Sequence, residues 1–336
     1  MQTLASVTLK LRTLSLYQKL FGLVLIGIIG ALIWRHPTIA HGRSELPGKG
    51  MGARLAGGSA SHSMAASPAA SEIMKLVASD RAADDEFGVY LALSGDILVV
   101  GAHQHDVGSN GNQGAAYIFE RNQGEPDNWS FLSKLTGSDG AAENYFGATV
   151  AIEGDTIVVG GYGNDSSKGA VYVFERNQST NNWGEIKKLT ASDGLAGDDF
   201  GRSVAISGDT VIIGSPLDDD GRGSAYIYDR NQGGANNWGE VKKLVPADSE
   251  PRDAVEPGDA VGRWVAIYNN TIVVTAPQQA SSRGAAYIYD RDQGGTNNWG
   301  LAKKLLASDS AVGDSLEMGW RLRAILSSLA LPETMG

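Results

Sequence analysis

Residues 187–244 read KKLTASDGLAGDDFGRSVAISGDTVIIGSPLDDDGRGSAYIYDRNQGGANNWGEVKKL, and the chain spells this pattern four times before it begins a fifth copy. Three landmarks return every 54 to 61 residues: an apolar residue followed by Gly, a Tyr and a Trp. They are Phe87-Gly88, Phe146-Gly147, Phe200-Gly201 and Val261-Gly262, then Tyr117, Tyr172, Tyr226 and Tyr287, then Trp129, Trp183, Trp238 and Trp299. A fixed period of this length is typical of a repeat architecture.

Each repeat has the pattern of four short strands. FGRSVAIS alternates small or polar with apolar residues, TVIIGS is a short apolar run, SAYIYDR alternates again, and WGEVKKL carries one Trp. Gly208-Asp209 separates the first two runs, and such pairs favour tight hairpins. The pattern predicts a first strand that begins at each Phe-Gly or Val-Gly pair.

Small four-stranded antiparallel sheets can bury their apolar faces only by packing on one another. Radial packing of repeated sheets achieves this. We therefore predict an all-β fold: a β-propeller of four-stranded antiparallel blades, with four full repeats and a truncated fifth. An N-terminal hydrophobic helix is expected to precede it.

The motifs also resemble those of a known family. Phe-Gly at the start of the first strand and Gly-Ser-Pro at the end of the second (Gly214 to Pro216, with Ala276-Pro277 as a variant) resemble the FG-GAP repeats of integrin α-chain propellers and their bacterial relatives. In calcium-binding members, a D-x-D-x-D-G-x-x-D loop lies between these two strands. Here that place holds only SGDT or EGDT. The resemblance therefore implies the propeller without this calcium loop.

Charge and composition limit the possible partners and chemistry. The chain has no cysteine and a net charge of −10, which rules out disulfides and thiol chemistry. Residues 1–70 carry +6, which leaves −16 for the remainder. Since an acidic surface repels phosphate backbones, we do not expect nucleic acid as a partner.

Residues 1–40 form a targeting segment, and residues 41–71 a Gly-, Ala- and Ser-rich linker that we expect to be disordered. Residues 20–34 are apolar, but fifteen helical residues extend only about 22 Å, short of the roughly 30 Å membrane core. We favour a secretory signal over the alternative, an anchor formed by residues 14–34. Export is the expected location in either case: extracellular, periplasmic or at the cell surface, with the membrane contacted only through this segment.

The repeats are expected over residues 72–316, and residues 317–336 do not continue the pattern. Codon degeneracy allows Trp320–Gly336 to be encoded by DNA whose shifted frame reads AIASDTLVVGAPRDDG, a well-formed first and second strand. We hypothesise that the tail is an out-of-frame reading and that the natural propeller is longer. Resequencing of the gene tests this hypothesis, and a shifted frame without further repeats would refute it.

The loops of the predicted blades fall into two groups. Those between third and fourth strands are nearly identical (RNQGEPDNW, RNQSTNNW, RNQGGANNW, RDQGGTNNW), as expected of structural turns. Those between second and third strands differ completely (HQHDVGSNGNQ, YGNDSSK, PLDDDGR, PQQASSR). Strand alternation places the variable loops on one face, beside the loops that join successive blades. That face is the candidate for a protein or glycan ligand.

Acidic residues are concentrated on the same face, before each Phe-Gly or Val-Gly pair. They are Asp84, Asp85, Glu86, Glu143, Asp198, Asp199, Asp253, Glu256 and Asp259. We interpret them as a solvated collar rather than as calcium ligands, because the spacing of an oxygen-ligand loop is absent. Asp218, Asp219 and Asp220 are the best candidates for a weak ion site, and no other cofactor is expected.

No catalytic motif stands out in the sequence. A residue that recurs at the same position in four repeats is more typical of a structural scaffold than of an active site. We therefore expect a non-enzymatic, exported binding or structural module. Two alternatives stay open: a calcium-dependent adhesion module like the integrin head, and the accessory propeller of a secreted hydrolase. For the Phe-Gly, Gly-Ser-Pro and Trp landmarks we expect structural roles.

Overall fold

The computed structural model describes residues 74–122, 126–252, 258–307 and 312. The predicted N-terminal helix, the linker and the tail after residue 316 lie outside the described residues. In the part of the chain that is described, no helix is long and apolar enough to cross a membrane.

The described residues form four antiparallel sheets of four strands each, in the order of a meander. The first sheet contains β1 (Leu91–Ser94), β2 (Ile97–Ala102), β3 (Ala115–Arg121) and β4 (Trp129–Leu135). The second contains β5 (Thr149–Glu153), β6 (Thr156–Gly161), β7 (Ala170–Asn177) and β8 (Asn182–Leu189). The third contains β9 (Ser203–Ser207), β10 (Thr210–Ser215), β11 (Ser224–Asp229) and β12 (Gly239–Leu244). The fourth contains β13 (Val265–Tyr268), β14 (Thr271–Ala276), β15 (Ala285–Asp290) and β16 (Gly300–Leu305).

These sheets are the blades of a propeller, which confirms the predicted all-β fold. Their first strands are neighbours in chain order, with β1 beside β5, β5 beside β9 and β9 beside β13. Facing blades share their apolar residues: Val99 and Ile118 of the first blade lie in one cluster with Val159 and Phe174 of the second. All four are buried. Sheet-on-sheet burial is thus the main source of stability, as expected for such small sheets.

The tight hairpins are also present. The first residue of each two-residue turn has a left-handed backbone, with φ of 57° at Gly95, 55° at Gly154, 57° at Gly208 and 51° at Asn269. Glycine and asparagine adopt this conformation at the lowest cost, which explains why the repeats place them there.

The first strands begin later than predicted. They start three or four residues after the apolar residue of each landmark pair, because that pair forms a turn instead. Gly147 has a φ of 91°, and the amide of Ala148 donates a hydrogen bond to the Tyr145 carbonyl at 3.1 Å. In FGATVAIE, small or polar residues alternate with apolar residues as in a strand, so the sequence pattern did not indicate this turn.

The landmark glycines set the distance between blades. A Cβ on Gly160, at the end of β6, would lie 2.2 Å from the carbonyl oxygen of Gly201 in the next blade. The corresponding distances are 2.1 Å from Gly101 to the Gly147 oxygen and 1.9 Å from Gly214 to the Gly262 oxygen. Only glycine permits so close an approach of two backbones. The Gly near the end of one blade's second strand therefore packs directly against the Phe-Gly or Val-Gly pair of the next blade.

The Trp landmarks lie at or just before the fourth strands. Trp183, Trp238 and Trp299 are buried, whereas Trp129 is half-buried. Arg230 and Arg291 each place their guanidinium carbon 4.6 Å from the ring centre of Trp238 and Trp299, respectively. These cation–π contacts join the third strand to the turn that precedes the fourth.

Candidate ligand-binding face

Two sets of loops meet on one face of the blades, which we call the loop face. One set joins second to third strands, and includes the short turns α1 (Asn164–Ser167), α2 (Asp218–Gly221) and α3 (Gln279–Ser282). The other set joins successive blades. The two sets are hydrogen-bonded: the Asp199 amide donates to the Ser167 carbonyl at 2.9 Å, and the Glu143 amide donates to the Gly111 carbonyl at 2.9 Å. The variable loops of the first three blades are thus held by the segment that enters the next blade, since the Arg252 amide likewise donates to the Asp220 carbonyl at 2.9 Å.

Below these loops, each of the four described blades contains the same Tyr–Asp–Lys network, in which the Tyr is buried, the Lys is half-buried and the Asp is exposed. In the second blade, the Tyr172 hydroxyl donates to Asp139 Oδ1 at 2.7 Å, and Lys188 Nζ donates to Asp139 Oδ2 at 2.5 Å. The other three networks are Tyr117–Asp80–Lys134, Tyr226–Asp193–Lys243 and Tyr287–Asp248–Lys304. Each Asp precedes the blade whose Tyr and Lys it binds, so the network attaches the entering segment to that blade.

The network fixes the ionisation of its members. Burial alone would raise the pKa of Asp139, but hydrogen bonds from Lys188 and Tyr172 outweigh it and lower that pKa below its usual value. Burial, followed by the bond to Asp139, raises the pKa of Tyr172 above its ordinary value. The Tyr therefore stays neutral and the Asp charged at physiological pH.

A buried polar residue of the second-to-third loop joins each network, and its identity differs from blade to blade. These residues are His105, Asn164, Asp218 and Gln279. Asn164 Oδ1 accepts a hydrogen bond from Lys188 Nζ at 2.9 Å, and His105 Nε2 lies 2.7 Å from Lys134 Nζ. The scaffold is thus repeated, while one buried position changes in each copy.

The candidate ion ligands of the third blade do not converge on one point. Asp218 is buried, and its Oδ2 lies 2.7 Å from Lys243 Nζ. Asp219 is exposed at 3.6 Å from the same amine, and Asp220 is exposed as well. Asp219 and Asp220 have left-handed backbones, with φ of 52° and 58°. Among the described residues, no group of three or more His, Asp or Glu side chains is arranged to hold a metal ion.

The acidic collar is only partly solvated, which corrects the expectation from the sequence. Asp85, Asp198 and Asp259 are buried, and each accepts a hydrogen bond from a backbone amide of its own loop. Asp198 Oδ2 accepts from the Leu195 amide at 2.6 Å, and burial raises the pKa of this carboxyl. These residues act as loop caps, whereas Asp84 and Glu86 are exposed. Asp253 and Glu256 lie outside the described residues.

Six side chains from four blades approach one another on the loop face, and we call them the aromatic–arginine cluster. They are Tyr90, His103, Tyr145, Tyr162, Arg202 and Arg263. The rings of Tyr145 and Tyr162 are stacked with centres 5.1 Å apart. The Arg202 guanidinium carbon lies 4.3 Å from the centre of the Tyr162 ring.

The remaining members extend this stack. The His103 ring centre is 6.2 Å from that of Tyr145 and 6.0 Å from that of Tyr90. Tyr90 is 40% exposed, so one edge of the cluster is open to solvent. His103 Nε2 lies 3.4 Å from a Glu86 carboxylate oxygen, while its buried Nδ1 has no partner among the described residues.

The two arginines of the cluster are compensated unequally. Arg202 lies 3.7 Å from Asp199. Within the described part of the chain, Arg263 has no carboxylate within the 4.0 Å of an ion pair. Burial lowers the pKa of Arg263, and the neighbouring Arg202 charge lowers it further, while Tyr90, Asp199 and Tyr162 only partly oppose this shift. A half-buried guanidinium in this situation favours an approaching anion.

A shallow, open cleft of about 520 Å³ adjoins the cluster at Tyr145. Its walls are the segment before β5 and the loop between β6 and β7, and they include Asn144, Asp165, Ser166 and Ser167. The lining mixes polar side chains with Ala141, Ala142 and the Tyr145 ring, and a mixed surface of this kind accommodates a hydroxylated ligand.

The cluster was not predicted from the sequence, although a signal was present. Arg202 and Arg263 occupy the position that follows the landmark glycine, which is Val89 and Ala148 in the other blades. Tyr162 is replaced by Pro at the equivalent positions 216 and 277. A search of the repeats for positions that vary between fixed landmarks would have found these residues.

The FG-GAP repeat family model matches residues 70–119, 129–174, 183–228 and 238–289, more than half of the chain. This chain belongs to the FG-GAP repeat family. Each of the last three matches begins at the Trp before or within a fourth strand and ends in the third strand of the next blade. The sequence unit of this FG-GAP protein is therefore offset from its sheets, and it spans the contact between blades.

None of the curated proteins compared with this FG-GAP chain matches it. Among solved structures, the chain is similar to Kuenenia stuttgartiensis Hydrazine Synthase, with 12% sequence identity and a TM-score of 0.42. The match covers 69% of this chain and 53% of that one, so the chain spans about half the length of its structural neighbour.

Proposed function

We propose that this FG-GAP protein is an exported, non-enzymatic binding module that contacts its ligand through the loop face. The observation that carries the proposal is the aromatic–arginine cluster. Its members come from four blades and occupy positions that differ between repeats, yet they meet at one place. Residues that merely hold the blades together recur in every copy, as the Tyr–Asp–Lys network does.

The ionisable groups below the loops support a role without catalysis. Burial would lower the pKa of Lys243, but its hydrogen bonds to Asp193 and Asp218 raise it above the usual value. An amine nucleophile or base requires the opposite shift. The four network tyrosines have raised pKa values as well, so none is activated as a base.

Export is proposed from the apolar segment of residues 20–34. The full chain should be expressed in a bacterial host, the cells fractionated and the N-terminus of the mature protein sequenced. We expect the protein outside the cytoplasm, with an N-terminus near residue 40 if a signal peptidase removes the segment. Recovery of the intact chain from the cytoplasm would contradict export.

Binding through the loop face can be tested separately on arrays of immobilised saccharides and peptides. The wild type should retain at least one array component, and a loop-face variant with Tyr145→Ser and Tyr162→Ser should lose it. A matched variant with Asn236→Ser and Asn297→Ser, in the turns that join third to fourth strands, should keep it. Equal binding by both variants, or no binding by the wild type, would contradict the proposal.

Calcium-dependent adhesion is the alternative, and it predicts a different response to chelation. The Asp218 carboxylate, the most buried of the candidate ligands, already has Lys243 as its cation. We expect EDTA to change the melting temperature by less than about 1 °C, because a ligand stabilises a protein only when the native state binds it. A clear drop in EDTA that calcium reverses would favour the alternative.

A further inference from the structure

We infer that the aromatic–arginine cluster binds the carboxylate group of an acidic saccharide. This inference rests on the proposed binding role of the loop face and specifies the ligand for it. The first observation is the charge at the site. Although the chain has a net charge of −10, Arg202 and Arg263 lie near each other, and Arg263 has no ion-pair partner among the described residues.

Two close guanidinium groups repel each other, and a bound anion relieves that repulsion. A carboxylate fits best, because its two oxygens accept parallel hydrogen bonds from the planar guanidinium. Arg202 is already oriented by the Tyr162 ring and by Asp199, so little side-chain freedom would be lost on binding.

The surroundings disfavour an anion of high charge. Carboxylates of Glu86, Glu143 and Asp199 lie around the cluster, and Asp165 lines the adjoining cleft. A polyphosphate or a highly sulfated chain would be repelled by these groups. One carboxylate on each sugar unit can reach the arginines without placing several charges beside the acidic residues.

The rest of the site suits a sugar ring. Tyr90 and Tyr145 offer aromatic rings that can pack against the apolar C–H face of a sugar. The Tyr145 hydroxyl already donates to a Glu143 carboxylate oxygen, so the exposed Tyr90 supplies the hydroxyl that would donate to the sugar. The adjoining cleft is open and lined by Ser166 and Ser167. Among the described residues, it provides no deep apolar cavity for a peptide side chain.

The experiment is isothermal titration calorimetry of the full chain with three tetrasaccharides: tetragalacturonate, neutral maltotetraose and a heparin tetrasaccharide, whose sulfate groups give it a higher charge than one carboxylate on each sugar unit. We expect tetragalacturonate to bind best, and its affinity to fall as salt is raised because salt screens the charge pair. Arg263→Gln should weaken it about tenfold or more, the usual effect of losing a charged hydrogen bond. Arg283→Gln removes the same charge from an exposed loop-face position outside the cluster and should bind like the wild type.

Folding is monitored for each variant by its melting temperature, so that a loss of affinity is not mistaken for unfolding. Equal effects of Arg263→Gln and Arg283→Gln would overturn the inference, as would tighter binding of either other tetrasaccharide or no binding of tetragalacturonate at millimolar concentration. Binding of maltotetraose alone would leave the loop-face binding role intact. Failure of the array experiment together with this one would overturn both.

Discussion

The two faces of the blades use arginine in opposite ways. On the turn face, where third strands lead into fourth strands, Arg230 Nη2 donates to Thr156 Oγ1 of the preceding blade at 2.8 Å, and Arg291 does the same to Thr210 at 2.8 Å. On the loop face, Arg202 and Arg263 occupy a position that is apolar in the first two blades. The arginine near the end of the third strand is present in all four repeats. The arginine that follows the landmark glycine is present only in the third and fourth blades.

This difference separates stability from recognition. A contact that recurs in each repeat contributes a similar free energy of stabilisation to every interface between blades, as in other repeat proteins. A side chain found in only some blades adds nothing that the fold requires. We therefore expect substitutions at recurring positions to lower stability, and substitutions in the aromatic–arginine cluster to alter binding alone.

The largest effect should come from the glycines between blades. Gly160→Ala would place a methyl group 2.2 Å from the Gly201 oxygen, so the second and third blades must move apart. We expect a loss of about 3 kcal/mol in the free energy of unfolding. Gly184→Ala is the matched control, because a Cβ there meets nothing within 4 Å. Denaturant unfolding of both variants checks the prediction, and equal stability of the two would contradict it.

A smaller loss is expected on the turn face. Arg230→Gln removes a guanidinium that pairs with Asp209 at 2.7 Å and also contacts Glu175 and Thr156. Because these groups are partly exposed, we expect a loss of about 1–2 kcal/mol. The control is Arg283→Gln, which changes the same charge at an exposed position. Urea unfolding of the two variants measures the difference, and a loss as large for Arg283→Gln would refute the assignment.

A third effect concerns pH. Asp80, Asp139, Asp193 and Asp248 have pKa values below the usual range in the folded state: burial opposes this shift, but bonds from Lys and Tyr outweigh it. Their stabilisation is therefore present above the unfolded pKa of about 3.9 and is lost as the pH falls through the lower folded pKa.

The contribution of one network can be isolated with Asp139→Asn. This variant should be less stable than the wild type at pH 7, and the difference should shrink below about pH 4. Asp165→Asn, at an exposed residue of the neighbouring loop, is the control. Melting temperatures measured from pH 3 to pH 7 test this prediction. A difference between Asp139→Asn and the wild type that stays constant across this range would contradict the assignment.

The repeats were sufficient to predict the blades, because the Phe-Gly, Tyr and Trp landmarks mark each sheet. They were insufficient to place the start of the first strands. The residues of the turn at Gly147 continue the alternation of apolar and small residues that is typical of a strand. The buried Asp198 was also missed, since a run of acidic residues resembles a solvated loop until its backbone partners are known.

Contacts between distant residues account for the other omissions. Asp139 is 33 residues from Tyr172 and belongs to the segment before that blade, so no local pattern links them. The aromatic–arginine cluster gathers residues from Tyr90 to Arg263, and its location depends on how the first strands lie side by side. Periodicity gives the register of a repeat, but it does not reveal which variable positions meet in space.

The separation of stability from recognition is tested most directly by thermal unfolding of the Arg202→Gln/Arg263→Gln double variant. Neither arginine belongs to a recurring contact, and removing both also relieves their mutual repulsion. We predict a melting temperature within about 2 °C of the wild type. A decrease as large as that caused by Gly160→Ala would contradict the account, because the cluster would then be part of what holds the blades together.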